Sequence, residues 1–95
     1  MAAKLSLTSQ VRVKDAVVFR DLEGEAVLLN LESGVYFGLD PVGTQIWHLL
    51  LEPCTLQKIL DALVDEYEVT KGECADDLLR FIGQLRENEL IEISD

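Results

Sequence analysis

The chain has 95 residues, 48% of them apolar, with 18 acidic against 8 basic residues and a formal net charge of −10 at pH 7. That length supports one domain, spanning residues 1–95, with one core and no second domain. The basic residues (Lys4, Arg12, Lys14, Arg20, Lys58, Lys71, Arg80 and Arg86) never form a run of three, so nucleic acid and anionic membrane surfaces are disfavoured as partners. A partner with a basic or mixed-charge surface fits better. The opening MAAKLSLTSQ lacks the apolar run of a secretory signal, and no stretch approaches the roughly 20 apolar residues of a membrane span. A soluble cytoplasmic protein is expected, with residues 1–10 flexible.

Val11 to Leu39 reads as β structure, because β-branched and aromatic residues dominate and breaks fall at turn residues. Alternation at Val11 and Val13 suggests a short edge segment, Val17 to Asp21 a further run, and Glu23-Gly24 a tight turn into Glu25 to Leu31. Glu32-Ser33-Gly34 then turns the chain into Val35 to Leu39, with glycine supplying positive φ. On that last strand Val35, Phe37 and Leu39 share one face, and Tyr36 and Gly38 the other. Leu29 and Leu31 are expected to join Phe37 and Leu39 against the helices.

Asp40-Pro41 suits an N-cap followed by the first helical position, where the missing proline N–H is harmless. Val42, Ile46, Leu49 and Leu50 give this helix a buried stripe, and Pro53 ends it. Thr55 caps a second helix, in which Leu56, Ile59, Leu60, Leu63, Val64 and Tyr67 recur at helical spacing. Thr70 with Glu73 forms a capping box ahead of a third helix that buries Cys74, Leu78, Phe81, Ile82 and Leu85. Asn88 is expected as a left-handed stop, and Leu90 to Ile93 as a segment that packs back or adds a marginal strand. The resulting fold class is α+β: an N-terminal three-stranded antiparallel sheet followed by three helices, in a winged helix-turn-helix arrangement.

Catalytic parts are missing. The only histidine, His48, follows Trp47 on an amphipathic helix with no nucleophile nearby, and reads as structural or solvent-facing. Asp65-Glu66 and Asp76-Asp77 are adjacent in sequence and point to different sides of their helices. Gly34, Gly38 and Gly43 lack the lysine and spacing of a phosphate loop. Cys54 and Cys74 have no second pair to form a zinc or redox motif, and read as reduced, partly buried thiols. No cofactor is implied and no enzyme is expected. A winged helix would ordinarily suggest DNA, but Glu73, Asp76, Asp77 and Glu87 on the outside of the third helix would face phosphates.

Binding is what remains. If Val35 to Leu39 is an edge strand, it leaves N–H and C=O groups unpaired, and an extended peptide can complete the sheet. Gly38 then either admits a second backbone or marks a kink before Asp40-Pro41. A proline at Phe37 is expected to remove a donor from such a peptide. The same edge also allows a homodimer.

Four blocks in order, VLLNLESGVYFGLD, PVGTQIWHLL, TLQKILDALVDEY and ADDLLRFIGQLRENELIEI, resemble the PqqD-like family over about residues 16–93. Each block is mostly apolar spacing; the four in register make the resemblance specific. It implies a recognition element that binds the leader segment of a ribosomally made precursor peptide as an added strand. It further implies presentation of that precursor to a modifying enzyme, a radical S-adenosylmethionine protein or another maturase. The peptide-binding residues it implies are Val35, Tyr36, Phe37, Gly38 and Leu39 on the strand, with Asp77, Arg80, Phe81 and Gln84 on the third helix. Asn88-Glu89 stands where a glycine is common in the family.

Overall fold

The computed structural model describes residues 6–67 and 70–94. Along the chain run β1 (Gln10–Val13), β2 (Val17–Leu22), β3 (Glu25–Asn30), β4 (Tyr36–Gly38), α1 (Pro41–Leu50), β5 (Cys54–Thr55), α2 (Leu56–Glu66), α3 (Lys71–Glu87) and β6 (Ile91–Ser94). The expected α+β class is present, with a three-stranded antiparallel sheet ahead of the three helices, in the order β2-β3-β4. Residues 1–5 of the segment expected to be flexible lie outside the described residues. Further along that segment, Leu7 and Ser9 accept backbone bonds from Gln57 and Leu56 at the start of α2.

The edge segment at Val11 and Val13 belongs elsewhere than expected. β1 is the centre of a second sheet, β5-β1-β6, pairing antiparallel with both neighbours. Val11 sits opposite Ile93 and Val13 opposite Ile91, so two short alternating segments from opposite ends of the chain complete each other. The marginal strand at residues 90–93 therefore forms because β1 supplies the partner it lacks locally.

The phase of β3 also differs from expectation. Ala26, Leu28 and Asn30 are buried, Leu29 is half-buried and Leu31 is 63% exposed. The cause is Asn30, a polar residue that turns inward. Its Oδ1 accepts from the Glu32 and Ser33 N–H groups at 2.8 and 3.1 Å, and its Nδ2 donates to the Glu89 carbonyl at 2.6 Å. Satisfied on all three counts, it is buried without an orphaned polar atom and fixes which face of the strand is inside.

The three expected helix caps form. Asp40 accepts from Gly43 N–H at 2.6 Å, Thr55 from Lys58 N–H and Thr70 from Glu73 N–H, both at 3.3 Å. In α1 the buried residues are Gly43, Thr44, Ile46, Trp47 and Leu50, while Val42 and Leu49 face out. The expected stripe is thus rotated: Trp47, fully enclosed, sets the buried face, with the Phe19 ring edge-on to it at 6.0 Å. α2 buries Leu56, Ile59, Leu60 and Leu63, and α3 buries Leu78, Ile82 and Leu85, as their spacing predicts, whereas Val64, Tyr67, Cys74 and Phe81, expected on the same buried faces, are only half-buried. The left-handed residue after α3 is Glu89 at φ 59°, one past Asn88, whose φ is −90°. No helix among the described residues is long and apolar enough to cross a membrane.

Candidate peptide-binding site

β4 is an edge strand, paired with β3 alone among the described strands, and the chain passes from it through Leu39 and Asp40 into α1. Gly34, at φ 75°, lets the chain reverse after Asn30, and Gly34 N–H donates to the Asn30 carbonyl at 2.8 Å. After the strand, Thr44 Oγ1 accepts from Ala26 N–H at 2.8 Å, pinning α1 to the end of β3.

The ladder bonds decide which backbone groups remain free. Asn30 N–H donates to the Val35 carbonyl at 3.0 Å and Leu39 N–H donates to the Ala26 carbonyl at 2.8 Å. Between those two pairs, Phe37 lies opposite Leu28. Antiparallel strands exchange bonds at every second residue, so Val35, Phe37 and Leu39 turn their backbone groups toward β3. Tyr36 and Gly38 turn theirs outward. The N–H of Phe37 is therefore a sheet bond, and proline there would break the hairpin instead of acting on an added peptide.

Beside this edge runs a groove of about 500 Å³ between β4 and α3. Phe37, Gly38 and Leu39 form one wall and Asp77, Phe81 and Gln84, with Cys74 and Leu78, the other. Val42, Gly43 and Ile46 of α1 with Leu63 and Tyr67 form the floor. Gly43 is closely packed there: a Cβ at that position would lie 3.3 Å from the Phe81 ring and 3.1 Å from the capping Asp40 oxygen, so either side chain would have to shift slightly to admit it. Tyr67 is held by donating from its hydroxyl to Gln45 Oε1 at 2.5 Å, and Gln45 in turn donates to the Glu66 carboxylate.

The rim is acidic, with Asp40, Glu73 and Asp77. Asp77 meets Arg80 at 3.7 Å in an exposed i,i+3 pair, which contributes little to stability. Burial, reinforced by the charge of Asp77, raises the Cys74 thiol above its ordinary pKa, and burial does the same to Cys54. Both are free thiols. No histidine lines the groove. His48 lies on another face, its Nε2 3.1 Å from Asp21 Oδ1 and its ring edge-on to Phe19. The arrangement offers backbone bonds, apolar volume and negative charge.

Of the residues expected to touch a peptide, Phe37, Gly38, Leu39, Asp77, Phe81 and Gln84 converge on the groove. Val35, one residue before β4, and Tyr36 lie outside it, with Tyr36 72% exposed on the opposite sheet face, and Arg80 points to solvent. Sequence reasoning passed over Val42, Ile46, Leu63, Tyr67, Cys74 and Leu78 as groove residues. Helical spacing assigned most of these to the buried faces, and spacing alone does not say which core residues border a cavity.

An α+β domain whose open sheet edge overhangs an apolar groove has the architecture of a strand-capturing receptor. The chain belongs to the PqqD family: residues 25–91 match the family model for coenzyme PQQ synthesis protein D. A solved structure of TbiB1 in complex with the TbiA(beta) leader peptide is 43% identical in sequence. The match covers 85% of this chain and 94% of that one, at a TM-score of 0.81. A lasso peptide synthetase B1 complexed with the leader peptide shares the fold, at 24% identity and a TM-score of 0.77, covering 86% of this chain and 96% of that one. Among proteins of curated function, none is significantly similar in sequence.

Proposed function

We propose that this protein is a non-catalytic peptide chaperone: it captures the leader segment of a ribosomally made precursor as a fourth strand on β4 and presents the precursor to a modifying enzyme. The observation that carries this reading is the free edge, on which Tyr36 and Gly38 turn backbone groups outward beside the groove, with no partner strand among the described residues. Family membership and the leader complexes of its structural neighbours support it. The peptide contributes one set of side chains to the groove, against Phe37, Leu39, Phe81 and the rim residues Asp77 and Gln84. Val35 and Arg80 flank the path, Arg80 by setting the charge beside Asp77.

The enzyme served is a radical S-adenosylmethionine protein or another maturase, and the compartment is the cytoplasm. With no leader present, two copies pairing through β4 would use the same backbone groups, so leader and self-pairing compete for one edge.

Tyr36→Pro tests the mechanism directly. It deletes one outward N–H while the N–H groups facing β3 stay intact, as edge positions tolerate. The TbiA(beta) leader peptide, titrated with fluorescence anisotropy, is expected to bind the variant about two- to tenfold more weakly, the worth of one hydrogen bond. Undiminished affinity in a folded variant would contradict strand addition.

A further inference from the structure

The outer face of the β2-β3-β4 sheet, opposite the groove, is unusually apolar for an exposed surface. The register places Val18, Leu29 and Tyr36 in one cross-strand row and Arg20, Val27 and Gly38 in the next. Val18, Leu22 and Tyr36 are 46%, 52% and 72% exposed. At the end of this face lies a second, shallow hollow of about 420 Å³, lined by Leu22, Glu25, Val27, Gly38 and Asp40. It shares Gly38, Leu39 and Asp40 with the groove. Gly38 opens it: a Cβ built there meets no heavy atom within 4 Å, and its backbone is not in the positive-φ region that would require glycine.

Side chains of directly opposed residues in a sheet lie on the same face. A strand bonded to Tyr36 and Gly38 therefore places the residue between those two partners toward the groove, and the residues opposite Tyr36 and Gly38 onto the outer face. In sheets, a glycine is favourably covered by a large side chain from the facing strand. Leu22 and Val27 supply the apolar walls for such a side chain.

We infer that the hollow at Gly38 is a second specificity subsite, receiving a large apolar side chain of the leader from the face opposite the groove. The leader is then read on both sides of the added strand: by α3 through the groove and by Leu22, Val27 and Gly38 through the hollow. This rests on the strand-addition reading above, and it gives Gly38 a role beyond permitting backbone approach. The occupant is a side chain of the captured leader, because the hollow borders Gly38, and the leader residue opposite Gly38 on the added strand faces it.

The test pairs a filled hollow with a trimmed ligand. The TbiA(beta) leader peptide and its single-alanine variants are titrated against wild type, Gly38→Val and Leu22→Asp by fluorescence anisotropy, with thermal melts confirming each fold. Gly38→Val is expected to weaken the unsubstituted leader about tenfold, the worth of one excluded apolar side chain. One alanine variant, weakened similarly on wild type, should lose nothing further on Gly38→Val or Leu22→Asp. Alanine at the positions either side of it should show no such coupling. If both protein variants weaken every peptide by the same factor, or weaken none, the subsite is refuted. Failure of wild type to bind the unsubstituted leader would instead refute strand addition, and the subsite with it.

Discussion

Tyr36 and Phe37 are adjacent, yet their backbone groups serve opposite sides of β4. Phe37 bonds to β3 and packs its ring on the groove side, so Phe37→Pro should lower the unfolding free energy by about 1–3 kcal/mol, the cost of a broken buried bond, in urea titrations. Tyr36→Pro should leave the urea midpoint nearly unchanged. Sequence alternation identified the faces of this strand correctly, but which residues bond inward depends on the register with β3, and that is set by the turn at Asn30. Cys74 supplies an independent probe of the groove. Its raised thiol pKa keeps it protonated at neutral pH, so alkylation by N-ethylmaleimide should be slow at pH 7 and accelerate as pH rises past the ordinary thiol range. Leader peptide should protect it, as read by mass spectrometry of the labelled chain; equal labelling with and without saturating leader would place the peptide elsewhere. With folded thiol pKa values raised at Cys54 and Cys74, the unfolded thiols ionise first. Their contribution to stability is complete below about pH 8 and is lost as pH rises above it.

At the scale of elements, Asn30 ties the two walls of the groove together. One side chain holds the β3–β4 turn through Glu32 and Ser33 and the end of α3 through the Glu89 carbonyl. Asn30→Ala leaves these groups unpaired and should destabilise the fold by about 1–3 kcal/mol while also weakening leader binding. Asn30→Asp keeps the turn acceptors but loses the donor to Glu89, so an intermediate effect in the same two assays is expected. Equal, negligible effects in both variants would show that the turn and α3 are positioned independently. The helices were the legible part of the fold: Thr55 and Thr70 as caps, and the spacing of Leu56 to Leu63, are local signals complete within one turn or two. β3 was misphased because an inward asparagine inverts the usual reading of polar as outside. Gly43 in α1 could not be recognised as a contact for Phe81, since the two meet only once α1 and α3 are packed.

Across the whole molecule, what the sequence concealed is what joins distant residues. Arg12 and Glu92 form an exposed ion pair at 2.8 Å, and Val11 lies opposite Ile93, closing the chain ends into the β5-β1-β6 sheet. Each strand is four residues or fewer and gives only weak periodicity by itself. Charge, by contrast, is legible from composition alone. Glu73, Asp76, Asp77 and Glu87 are all exposed on α3, so duplex DNA at low salt should show no retention in a gel-shift assay; salt-sensitive retention would revive a nucleic-acid role. The central claim, strand addition on β4 beside α3, is tested most directly by titrating isotope-labelled protein with the TbiA(beta) leader peptide and following backbone amides by NMR. The largest shifts are expected at Tyr36 and Gly38, with slowed hydrogen exchange there, and accompanying shifts at Asp77, Phe81 and Gln84. Binding that leaves those amides unmoved and shifts another surface would contradict it.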